Sequence, residues 1–272
     1  MIDFTGIRLI AADMDGTLLN SQHEYDPGFP AMYEQLKQQG ILFAPASGRQ
    51  LYNLQNKFGE LGREMIFVAE NGSHVFYKGR DLLVQSLPRD KVHMLIRMAR
   101  QVKGVNIILC GKKQAYMEST EPEFTRNVEM YYDRRMLVDD LLQVNDDEFL
   151  KIAICDLQGA ETNSYPVFRH FEGELQVKVS GKIWLDLSHQ LANKGRAMQV
   201  VQQQLNITKE QTMAFGDYLN DVEMMQQAYF SYAMSNAHPA VKEAARFEAG
   251  SNEENGVGLI IGDVLHSLGT IR

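Results

Sequence analysis

The stretch Ile7-Arg8-Leu9-Ile10-Ala11-Ala12-Asp13-Met14-Asp15-Gly16-Thr17 decides the fold. A short apolar run stops abruptly at a polar turn that contains glycine, as a buried strand does when it ends at a loop. The pattern recurs along the chain. Residues 41–46 form a second run, ending at Ser47-Gly48-Arg49. Pro45 inside it removes a ladder donor, which places it near the strand's end. Residues 65–69 end at Glu70-Asn71-Gly72, 212–215 at Gly216-Asp217, and 229–234 at Ser235-Asn236-Ala237. Helical stretches at 32–40, 195–205 and 222–228 alternate with these strands. Such alternation implies parallel βαβ units and a doubly wound α/β sheet. Ligands bind such sheets outside the carboxyl ends of the strands, where all of these polar residues fall.

The middle of the chain follows another grammar. Val92, Leu95, Ile96, Ala99 and Val102 share one face of a helix expected over 89–103. Strand-like runs at 105–110, 114–118, 149–156, 175–179 and 183–187 are interrupted by helical stretches at 121–134 and 165–171. This order predicts an α+β insert with an antiparallel sheet. Two domains follow: a core of residues 1–85 and 188–272, and an insert of 86–187, a division that suits 272 residues. No internal repeat is present.

Composition narrows the function. Hydrophobic residues make up 44% and charged residues 23%, enough for ordinary cores. The formal net charge of -8 repels phosphate at long range, which argues against coating nucleic acid or an anionic membrane. A phosphorylated ligand therefore needs local compensation, and a divalent cation is the obvious means. Cys110 and Cys155 fit no metal or redox spacing and read as free thiols of a cytoplasmic protein. No signal sequence precedes the first strand, and no apolar run approaches the roughly 18 residues that span a bilayer. The sequons at Asn71 and Asn206 then carry little meaning.

Asp13 and Asp15 are the chemically loaded pair. A turn after a buried strand aims backbone N–H groups and side chains at one point, and such nests hold anions. An aspartate can attack phosphorus and form an aspartyl-phosphate. A neighbouring carboxyl can protonate the leaving oxygen and then deprotonate water. Gly16 lets the chain turn tightly beside a ligand. Taken alone, Asp-x-Asp is more simply a capping or solvated acidic turn. Ser47 can donate to a phosphoryl oxygen, Lys194 before Gly195 can bring positive charge, and Asp217 can join Asp13 as a carboxylate ligand of Mg²⁺. Phosphoryl transfer asks mainly for positioning and charge neutralisation, which this set supplies.

Asp13-Met14-Asp15-Gly16-Thr17, Ser47-Gly48-Arg49, Lys194-Gly195 and Gly216-Asp217-x-x-Asn220-Asp221 together resemble the four motifs of the haloacid dehalogenase (HAD) superfamily, in order and across the whole chain. The insert lies between the second and third motifs, as a type II cap does. Glu70-Asn71-Gly72, Met234-x-Asn236-Ala237 and Asn255-Gly256-Val257 resemble the Cof-type subfamily with a type IIB cap. The resemblance implies a Rossmann-like core with an α+β cap domain. It implies Asp13 as nucleophile and Mg²⁺ ligand, and Asp15 as general acid/base with its backbone carbonyl on the metal. Asp217 completes the metal ligands. Met14, Ser47, Gly48, Lys194 and Asn220 hold the phosphoryl group, Met14 and Gly48 through backbone N–H. Asp221 orients Lys194 or a metal-bound water, and Arg49 faces the leaving group. The segment before Lys194, Ser188-His189-Gln190-Leu191-Ala192-Asn193, lacks the Pro-Gly-type turn usual in relatives.

The expected function is a Mg²⁺-dependent phosphatase of small metabolites, foremost sugar phosphates. Two alternatives stay open: a sugar phosphomutase, and a phosphometabolite-binding protein without turnover. No Gly-x-Ser-x-Gly elbow supports an acyl-type nucleophile, and the seven histidines show no ligand spacing. Trp184 reads as packing. Hinges for a closing cap are expected at 86–88 and 182–188. Substrate identity and oligomeric state are not encoded in any motif.

Overall fold

A computed structural model describes residues 3–269. The chain enters through β1 (Leu9–Asp13), α1 (Phe29–Gln38), β2 (Leu42–Ala46), α2 (Leu51–Phe58) and β3 (Phe67–Ala69). A hairpin of β4 (His74–Tyr77) and β5 (Arg80–Val84) follows. Next come α3 (Arg89–Ala99), β6 (Val105–Gly111), β7 (Ala115–Met117), α4 (Pro122–Tyr131) and β8 (Arg135–Leu137). The middle of the chain finishes with β9 (Phe149–Asp156), α5 (Tyr165–Phe168), β10 (Leu175–Gly181) and β11 (Trp184–His189). It returns through α6 (Lys194–Leu205), β12 (Thr212–Gly216), α7 (Val222–Met225), β13 (Phe230–Met234), α8 (Pro239–Ala244), β14 (Phe247–Ala249) and α9 (Gly256–Ser267).

The first and last parts of the chain build one sheet, ordered β14-β13-β12-β1-β2-β3-β4-β5. β1 lies between β12 and β2, with Leu9 opposite both Thr212 and Leu42. All five of its residues are buried, because helices cover both faces and leave no room for a polar alternation. The parallel order holds from β14 to β3. It breaks at β4 and β5, which pair antiparallel and form one edge. Lys78 and Gly79 join them with φ of 46° and 79°, the two-residue turn that suits the twist of a hairpin. Pro45 pairs with Ala12, one residue before the end of β2.

The middle strands form a second sheet, ordered β10-β11-β9-β6-β7-β8. Its pairs are antiparallel except β7 with β8, which is parallel. Side chains alternate across β6: Ile107 and Leu109 join α3 and α5 in one core, Ile108 and Cys110 join α4 in another. α3 stops at Ala99, short of the expected 103. β11 runs on to His189.

The two sheets' units meet through polar contacts. The Gln50 side chain accepts from Arg134 N and donates to Arg134 O, both at 2.9 Å. Asp133 accepts from Asn53 and Asn56, and Lys178 pairs with Glu223. On the far side Lys112 reaches Asp81 at 2.7 Å. Among the described residues no helix is long and apolar enough to cross a membrane.

Candidate active site

The parallel register brings the ends of β1, β2 and β12 side by side, so Asp13, Ser47 and Asp217 converge from three distant segments. α6 delivers the cation. Asn193 caps it, its side chain accepting from Arg196 N at 2.7 Å, in the segment that lacks a Pro-Gly-type turn. Gly195 lets α6 lie directly against α7: a Cβ there would sit 2.5 Å from the Glu223 carbonyl oxygen. Lys194 is thereby fully buried and donates to Asp13 Oδ1 and, at 2.7 Å, to Asp221 Oδ1. The other oxygen of Asp221 accepts from the N–H groups of Asp217 and Tyr218, at 3.0 and 3.1 Å. Asp221 thus fixes both the lysine and the Asp217 loop. Thr17 Oγ1 donates to Asp217 Oδ1 at 2.9 Å. Gly16, at φ 84°, is where the two loops touch; a Cβ would lie 2.4 Å from Asp217 Oδ2.

Carboxylate oxygens of Asp13, Asp217 and Asp221 lie within 4.8 Å of one another. Among the described residues Lys194 is the one cation paired with Asp13 and Asp221. Burial, then the charges of Asp221 and Asp217, raise the Asp13 carboxyl well above its ordinary range, against the pull of Lys194. Burial and the Asp221 charge push Asp217 up to about 6. Lys194 is raised despite burial by Asp13 and Asp221. Negative charge is under-compensated here, and the donors are hard oxygens, so the cluster fits a cation such as Mg²⁺.

Asp15 goes elsewhere. Its carboxylate accepts from Arg49 Nε at 2.8 Å and Nη2 at 2.6 Å, and meets His23 Nδ1 at 2.8 Å. Burial pulls its pKa up, but Arg49 and then His23 outweigh that and hold it low. Arg49 also donates to Asn53 Oδ1 and the Met130 carbonyl, and lies over the Tyr131 ring at 5.1 Å. His23 was not singled out in the sequence. Its only local signal is a left-handed backbone, φ 59°, which sequence does not reveal for histidine.

A cavity of about 760 Å³ opens above these residues. Asp13, Asp15, Ser47, Gly48, Arg49, Asp217 and Asn220 line its floor. Met14, Lys194 and Asp221 lie outside the lining, with the Met14 side chain buried in the core. Lys151, Asp186 and Trp184 from the second sheet line the cavity as well, with Tyr131 and Tyr132 from α4 and its C-terminal end. Trp184 packs edge-on against Tyr131, with ring centroids 6.0 Å apart, and also faces the cavity. Sequence reading passed over Lys151 and Asp186 because a charge inside an apolar strand gives no clue to its partners.

The profile of the haloacid dehalogenase-like hydrolase family matches residues 10–261, and the chain belongs to that family. It is a HAD-type phosphatase, a phosphoric monoester hydrolase. The chain is 37% identical over 262 residues to 5-amino-6-(5-phospho-D-ribitylamino)uracil phosphatase YbjI of Escherichia coli K12, covering 95% of this chain and 96% of that protein. It is 26% identical to the HMP-PP phosphatase of Escherichia fergusonii, over 86% of each. A solved structure from Streptococcus mutans UA159 superposes with a TM-score of 0.87 at 30% identity, covering 96% of this chain and 99% of that one. The HAD subclass IIB sugar phosphatase BT4131 shares the fold, at a TM-score of 0.80 and 19% identity, over 97% and 100% of the two chains.

Proposed function

We propose that the protein hydrolyses primary phosphate esters of small polyhydroxylated metabolites, sugar phosphates foremost, in a Mg²⁺-dependent reaction. One observation carries this reading: Asp13, held by the buried Lys194, meets Asp217 at the floor of a cavity large enough for a sugar phosphate. The name of the Escherichia coli relative, which specifies a phosphorylated ribityl chain, supports it.

Lys194 holds Asp13 Oδ1, which orients the carboxylate and leaves Oδ2 to attack phosphorus. The ester P–O bond breaks as the aspartyl-phosphate forms, and the leaving alkoxide takes a proton from Asp15. Asp15 then accepts a proton from water, whose oxygen attacks phosphorus and releases Asp13. Ser47, Gly48, Asn220 and the Met14 backbone position the phosphoryl oxygens. Asp13, Asp217 and the Asp15 carbonyl would hold Mg²⁺, which supplies neutralisation of the charge on the transferred group. Residues 86–187 act as a cap that closes over the strand ends and excludes water, moving on hinges at 86–88 and 182–188. The reaction takes place in the cytoplasm.

The test is phosphate release from p-nitrophenyl phosphate and a panel of sugar phosphates, with Mg²⁺ or EDTA, for wild type and Asp13→Asn. Mg²⁺-dependent release confined to wild type is expected. Equal release by Asp13→Asn would sink the mechanism. An isomeric sugar phosphate without free phosphate would mark a mutase.

A further inference from the structure

The loop after β3 holds two consecutive non-glycine residues in the left-handed region, Glu70 at φ 49° and Asn71 at φ 55°. Such backbone persists only where its surroundings enforce it, and it gathers at functional sites. The backbone N–H groups of Glu70 and Asn71 donate to the carbonyls of Arg49 and Ser47, at 3.0 and 2.9 Å, and side chains add contacts that backbone alone does not supply. Asn71 Oδ1 accepts from Asn220 Nδ2 at 3.0 Å, and Asn71 Nδ2 donates to Asp186 Oδ2 at 2.8 Å. The same amide lies against Gly48, where a Cβ would sit 3.2 Å from it. Lys151, on β9, continues the chain: its ammonium donates to the Gly48 carbonyl at 3.2 Å and pairs with Asp186 at 3.4 Å and Glu70 at 2.9 Å. Lys151, Glu70, Asn71 and Asp186 are all buried at the cavity floor or beneath it.

Asn71 therefore touches both loops assigned above to the phosphoryl group, Gly48 and Asn220, and ties them to two strands of the second sheet. An apolar packing role needs none of this. Burying a lysine and two carboxylates carries a desolvation cost that only well-made partners offset. We infer that Asn71 is a positioning residue for phosphoryl transfer, setting the Gly48 and Asn220 loops and, through Asp186 and Lys151, making their geometry depend on the docked insert. The inference rests on the phosphatase reading of the site.

The test uses Asn71→Gly, because glycine keeps the left-handed backbone while deleting the amide. A misplacement of about 1 Å costs roughly 100-fold in rate, so kcat/KM for p-nitrophenyl phosphate is expected to fall between about tenfold and 100-fold. Inhibition by orthovanadate, which occupies the phosphoryl position, is expected to weaken by a similar factor. A structural role alone would lower kcat by shrinking the active fraction and leave KM and the vanadate constant unchanged. That result, or wild-type kinetics, would overturn the inference. Asn71→Asp, which keeps shape but loses the donor to Asp186, should give the same split; a fully wild-type vanadate constant there would also count against it. If wild type itself releases no phosphate, the phosphatase reading fails first, and the two failures are distinguishable.

Discussion

Arg49 grips both carboxylate oxygens of Asp15, with Nε and Nη2 at 2.8 and 2.6 Å. A bidentate guanidinium favours the ionised carboxylate. In the reaction proposed above, this arrangement suits the step in which Asp15 takes a proton from water, whereas donating a proton requires the grip to loosen. Arg49 also reaches the Met130 carbonyl of the insert, so the insert and the Asp15 carboxylate share one side chain.

Asp15→Asn should separate the two half-reactions. p-Nitrophenolate leaves without a proton, so Asp13 is still phosphorylated. Hydrolysis of the aspartyl-phosphate loses its base and slows by about 10²–10⁴-fold. Stopped-flow absorbance should show a burst near one equivalent per site, followed by a slow steady state. A linear trace at the wild-type rate would remove Asp15 from the chemistry.

Lys194→Met leaves Asp13 and Asp221 buried without their cation. Removing one partner of such a set costs about 3–5 kcal/mol. Urea unfolding without added divalent ions should show that loss, together with loss of turnover. Adding Asp221→Asn to the variant should recover part of the stability, because it removes one of the stranded charges.

Gly195→Ala tests the fit between α6 and α7, which carries Glu223. The new Cβ meets backbone, which cannot swing aside, so overpacking of about 1–3 kcal/mol is expected. Thermal melts should fall, and turnover should fall further than stability accounts for, because α6 carries Lys194. A variant with unchanged melting and turnover would show that the helix yields freely.

Stability should decline in acid through the edge hairpin. Burial, opposed by Asp81, lowers the His74 pKa below its ordinary 6.5; Lys112 and Glu148 also act on it. The unfolded chain then binds more protons than the folded one, so unfolding becomes easier as pH falls through 6.5, until the folded value is passed. Asp81 pulls the same way at lower pH: burial raises it, but Lys112 and His74 hold it below its ordinary value. The raised carboxyls of Asp13 and Asp217 act with the opposite sign, so the reading is a difference: from pH 8 to 5 the urea midpoint of wild type should fall relative to that of His74→Gln. Parallel curves would remove His74 from the titration.

Much of this was legible in the sequence, for physical reasons. Buried parallel strands must be nearly all apolar, so β1, β12 and β13 announce themselves and their polar ends. The hairpin at 74–84 was missed, although Lys78-Gly79 between two apolar runs is a two-residue turn signal. Its second strand, β5, is only partly apolar because it forms the edge. The resemblance gives Asp221 either Lys194 or a metal-bound water to orient, and its side chain accepts from Lys194 at 2.7 Å. The partners of Asp15 were not expected: His23 and Arg49 reach it from other segments, and no spacing encodes that. Asn71 was noted only as part of Glu70-Asn71-Gly72, since its three neighbours come from Gly48, Asp186 and Asn220.

The position of β1 between β2 and β12 has a consequence for how the protein is made. Thr17 and Asp217, which bond across this seam, are 200 residues apart in the chain. A ribosome delivers the insert long before it delivers β12, and contacts so distant in sequence are slow to close. The emerging chain therefore carries Asp13 for most of its synthesis without Asp217, Asp221 or Lys194 beside it. The crowding of three carboxylates is deferred until the last third of the polypeptide arrives with its lysine.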